Sequence, residues 1–96
     1  MNIDKKIQGD VMTITIDGWL DTAAAPDLEA ALNDVSSNIK QLVFDCKNLD
    51  YISSSGIRQI VAAHKQMNGN MCLENVSKEI MSVLNMTGIS NRIRIE

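Results

Sequence analysis

The sequence predicts a small α/β domain in which a mixed β-sheet, opened by an antiparallel hairpin and continued by parallel strands, packs with about three main helices. Three observations carry this. The pair Gly9-Asp10 is a two-residue turn signal between two extended runs. Beyond it, short β-branched or apolar runs alternate with segments of helical spacing, the pattern of strand–helix crossovers in a largely parallel sheet. Finally, 96 residues that are 45% hydrophobic and 22% charged suit one domain, residues 1–96, with a modest core.

Ile3 to Gln8 reads as a short edge strand, and Val11 to Ile16 as a half-buried strand ending at Asp17-Gly18, with Trp19 and Leu20 beyond the glycine. Asp21 to Leu28 resembles a helix entrance, because Pro26 is tolerated in a first turn and the acidic side chains suit the positive end of the dipole. Leu28, Ala31, Leu32 and Val35 form the stripe that should face the sheet, and Ser36-Ser37-Asn38 closes this helix. Leu42-Val43-Phe44 suits a central strand buried on both faces.

Ser53, Ser54, Ser55 and Gly56 then form a strand-to-helix junction. Ile57, Ile60, Val61, His64 and Met67 trace one face of the following helix, which Asn68-Gly69 caps. Asn70 to Glu74 is the next short strand. Ser77 caps a third helix, with Val76 and Met81 placed for a hydrophobic staple, and Thr87-Gly88 ends it. Arg92-Ile93-Arg94-Ile95 alternates charge and isoleucine, as a final edge strand with one wet face would.

Composition narrows the function. Acidic residues outnumber basic ones, 12 to 9, which argues against nucleic acid and anionic membrane as partners. No apolar stretch is long enough to insert in a bilayer, and the start has no signal-peptide character, so a cytoplasmic location is expected. Cys46 and Cys72 lack zinc-site spacing and read as reduced core thiols. Asp45 and Asp50 read as strand-end and turn residues rather than a metal pair, and no cofactor is expected.

The serine junction attracts chemistry because a helix start offers unpaired N–H groups and partial positive charge. A nucleophile elbow around Ser54 would need glycine on both sides, and Ile52 occupies the first of those places. The only histidine, His64, falls about 14 Å further along the helix and points into packing. Phosphate-loop motifs are absent. The junction therefore reads as a cap or as an exposed hydroxyl cluster on which another enzyme acts, and the chain itself reads as a non-enzyme.

Three stretches resemble the bacterial anti-sigma-factor antagonists, stand-alone members of the STAS (sulphate transporter and anti-sigma-factor antagonist) domains. They are Asp17 to Thr22, Leu42-Val43-Phe44-Asp45 through Tyr51 to Ile57, and Asn75-Val76-Ser77 through Leu84 to Ile89. The resemblance implies a STAS-like fold and a partner switch. Unphosphorylated protein binds an anti-sigma factor that is also a serine kinase, freeing a sigma factor; phosphorylation blocks binding, and a serine phosphatase restores it. The family usually reads Asp-Ser-Ser/Thr-Gly here, which carries the acceptor to Ser54, with Ser55 the second choice, and Ser53 in place of the aspartate. Partner contacts are implied at Asp21, Thr22, Ser53, Ser54, Ser55, Gly56 and Arg58, the last at a position often small in the family. Two alternatives stand beside the switch: a STAS adaptor subunit of a transporter or signalling assembly that is never phosphorylated, and a small serine hydrolase.

Overall fold

In a computed structural model describing residues 1–96, the chain begins with the expected hairpin: β1 (Asn2–Gln8) pairs antiparallel with β2 (Val11–Leu20) across the Gly9-Asp10 turn. Gly9 takes φ 64°, the left-handed conformation that such a turn demands and that glycine adopts without steric cost. The later strands are β3 (Gln41–Asp45), β4 (Leu49–Ile52), β5 (Met71–Glu74) and β6 (Arg94–Ile95). The sheet order is β1-β2-β3-β5-β6, every pairing after the hairpin is parallel, and β4 pairs with β2 off that path.

Period-two alternation sends Met12, Ile14 and Ile16 of β2, with Leu42, Phe44, Met71 and Leu73 of the inner strands, into a single core. Leu28 and Leu32, Ile60 and Ala63, and Ile80 and Leu84 enter the same cluster from the three helices α1 (Ala25–Asn33), α2 (Ser54–Gln66) and α3 (Lys78–Met86). The helices therefore lie on one face of the sheet. The other face carries Thr13, Thr15 and Asp45, and its apolar positions Val43 and Cys72 are buried outside the main cluster. Both cysteines are free and buried; desolvation, followed by the neighbouring Asp45 charge, pushes the Cys46 thiol up to about 12.

Four elements depart from the sequence reading. Strand β2 does not stop at Asp17-Gly18 but continues to Leu20: it pairs with β3 as far as Thr15 and with β4 from Gly18, with a register irregularity between Gly18 and Trp19. Strand β4 was not among the expected strands, because Leu49 and Ile52 enclose two exposed residues and so show neither alternation nor a continuous apolar run. Helix α1 ends at Asn33, short of the Ser36-Ser37-Asn38 segment expected to close it, while its entrance is as read, with Pro26 in the first turn and the Asp21 carboxylate accepting the Ala24 N–H at 2.9 Å. A 3-10 turn, Ile89–Asn91, uses part of the C-terminal segment, and the last strand shortens to two residues.

The caps read from the sequence are present. The Ser77 hydroxyl accepts the Ile80 N–H at the start of α3. At the end of α2, the Asn68 N–H reaches Lys65 O and the Gly69 N–H reaches His64 O, closing the helix with both residues at positive φ.

Candidate functional site

The serine junction begins at the carboxyl end of β4, not β3 as the sequence order suggested. Because β4 runs parallel to the last residues of β2, two loops emerge side by side: Leu20-Asp21-Thr22 and Ile52-Ser53-Ser54. The Ser53 N–H donates to Leu20 O at 2.9 Å and fastens them together. Asp21 and Thr22 are thus brought next to the start of α2, as one site requires.

The three hydroxyls divide by function within one turn. Ser53 is extended (φ −92°, ψ 171°) and its Oγ accepts the Gly56 N–H at 3.1 Å, so it is the cap of α2. It is also 9% exposed, whereas Ser54 is exposed and Ser55 half-buried. The Ile57 N–H closes the first helical bond on Ser53 O, which leaves the N–H groups of Ser54 and Ser55 ahead of the intrahelical ladder.

Gly56 is buried for a different reason. A Cβ there would lie 2.7 Å from Leu20 Cγ and 2.9 Å from Leu20 O, so only glycine lets α2 settle this close to β2. Arg58, one turn further, is exposed and forms none of the three ion pairs in the protein. Of the seven residues implied as partner contacts, the structure gathers all on this end of the sheet, with Ser53 and Gly56 beneath the surface and Thr22, Ser54 and Arg58 upon it.

The remaining candidates fall elsewhere. His64 is half-buried, ten positions beyond Ser54 along α2, which is about 15 Å of helical rise. The Asp45 carboxylate accepts from the Lys47 N–H at 3.1 Å and from Asn75 Nδ2 at 3.0 Å, the work of a turn residue. No helix is long and apolar enough to cross a membrane.

Sequence reasoning missed one feature of this end of the molecule. Trp19 and Tyr51 are register partners across β2 and β4, with ring centroids 5.2 Å apart and planes tilted by 38°. They remain 60% and 44% exposed, so two of the three aromatic rings lie on the surface and only Phe44 enters the core. The signal was the period-two alternation of β2: carried past Gly18 from Met12, Ile14 and Ile16, it turns Leu20 inward and Trp19 outward.

A one-sided mixed sheet, with paired loops presenting a capped helix start and an exposed serine at one end, defines a small α/β domain of a single, recognisable architecture. The family profile of the STAS domain matches residues 2–96, and the chain belongs to that family. It is 26% identical over 98 residues to the anti-sigma-B factor antagonist of Bacillus subtilis (strain 168), covering 99% of this chain and 90% of that one. An anti-sigma factor antagonist from Mycobacterium paratuberculosis superposes with a TM-score of 0.88 at 18% identity, over 98% of this chain and 83% of the other. The Bacillus cell fate determinant SpoIIAA in its phosphorylated form gives a TM-score of 0.77 at 16% identity, over 99% and 91%. At these identities the structural matches establish the fold.

Proposed function

We propose that this protein is an anti-sigma-factor antagonist working as a phosphorylation-controlled binding switch, with Ser54 as the acceptor. The observation that carries the acceptor is the division of the three serines: Ser53 is committed to the cap, Ser55 is half-buried, and Ser54 presents its hydroxyl to solvent. The similarity to an anti-sigma-B factor antagonist supports the class of partner.

In the unphosphorylated state the Asp21-Thr22 and Ser54-Arg58 surface binds an anti-sigma factor that is also a serine kinase, and its sigma factor is released. The kinase transfers the γ-phosphoryl group of ATP to the Ser54 oxygen, leaving ADP. The phosphate brings about −1.5 to −2 charges to a contact surface, where like-charge repulsion and desolvation weaken binding without refolding the chain. A serine phosphatase reverses the change. Since the helix start accepts a serine oxygen or an anion equally well, the fold tolerates both states.

Incubation with the cognate kinase and ATP, followed by mapping of the modified residue by mass spectrometry, tests this reading. Phosphate on Ser54, lost in Ser54→Ala, is the expected result. Phosphate confined to Ser53 or Ser55 overturns the acceptor, and binding to the kinase with no modification at all favours the adaptor function over the switch.

A further inference from the structure

Four observations converge on Arg58. On a helix, positions four apart face the same way, with Cβ atoms about 5–6 Å apart. Ser54 and Arg58 are such a pair; both are exposed, and they lie opposite the buried Gly56 and Ala63 of α2. The Cα–Cβ bonds of a helix tilt toward its N-terminus, so the Arg58 side chain rises back over the turn that carries Ser54. Its guanidinium has no carboxylate within ion-pair distance, leaving its five donors uncommitted.

We infer that a phosphate on Ser54 is held intramolecularly by Arg58, making Arg58 the positioning residue of the phosphorylated state; this rests on the proposed acceptor. Arginine suits the task because its planar fork can engage two phosphate oxygens together. Ser55 also has Arg58 three positions on, but it is half-buried, and its neighbour four residues on is Gln59, a neutral side chain already 3.5 Å from Glu29 Oε2. Ser53 lies outside the helix and spends its hydroxyl on the cap.

Two consequences follow for the switch. Phosphorylation withdraws the Arg58 donors from a binding partner at the same moment that it adds negative charge, while the net charge change remains that of the phosphate. The arginine also favours the dianionic phosphate at neutral pH. The Asp21 and Asp50 carboxylates in the two neighbouring segments act in the opposite sense, and Arg58 is the cation on the acceptor's own face of α2.

The test uses the full chain with phosphoserine installed genetically at position 54, so that it does not depend on any kinase. Titrating the phosphate by 31P NMR in this protein and in its Arg58→Gln variant should give midpoints separated by about 0.3 unit, the variant being higher. The difference should shrink in 1 M salt and be partly retained in Arg58→Lys, which keeps the charge and loses the fork. Equal midpoints in low salt, with both proteins folded by circular dichroism, overturn the pairing. A kinase that leaves Ser54 unmodified would overturn the proposed acceptor while leaving this titration result standing.

Discussion

Ser53 and Ser54 are adjacent and chemically identical, and their backbone conformations give them opposite tasks. The extended Ser53 turns its hydroxyl inward to the Gly56 N–H, whereas Ser54, the first helical residue, turns outward. The sequence reading offered the junction as a cap or as an exposed hydroxyl cluster, without assigning the cap to one serine. The tight packing beneath them was not legible, because it depends on Leu20, which reaches Gly56 only through the fold. Gly56→Ala should therefore destabilise the protein by about 1–3 kcal/mol, measured by urea unfolding, because its new methyl overlaps both the Leu20 side chain and its carbonyl oxygen. Wild-type stability in that variant would show that α2 can move away from β2 freely.

At the scale of elements, the change of partner along β2 decides where the site forms. Up to Asp17 the strand serves the main sheet; from Gly18 onward it serves β4, and that second pairing places Asp21 and Thr22 beside the serines. Gly18 sits at φ 103°, where a side chain is strained even though a Cβ would meet only Met1 Cα at 3.6 Å. Gly18→Ala therefore isolates conformational cost from crowding, and should lose about 1–3 kcal/mol in chemical denaturation. An unchanged midpoint would mean that this conformation does not need glycine. The helices were legible from their apolar spacing, the hairpin from its Gly9-Asp10 turn, and β3 and β5 from short continuous apolar runs. Strand β4 was not, since its burial comes from β2 and α3 rather than from its own four residues.

For the whole molecule, one face of the sheet buries the core and the helices while one end gathers the candidate contacts. The alternation of strands and helices revealed the architecture, but not that Trp19 and Tyr51 form a tilted aromatic pair, because they meet only when β2 and β4 align. A net charge of −3 means that each added phosphate deepens an existing acidic character, and an interface that tolerates the unmodified surface must desolvate that phosphate to form. The central claim, that phosphorylation of Ser54 is the switch, is met most directly by calorimetric affinities for the cognate anti-sigma kinase, comparing unmodified protein with protein phosphorylated at Ser54. Weakening by about thirty-fold or more, equivalent to about 2 kcal/mol, is the predicted result, with Ser54→Ala binding like the unmodified protein; equal affinities for the phosphorylated and unmodified forms would contradict it.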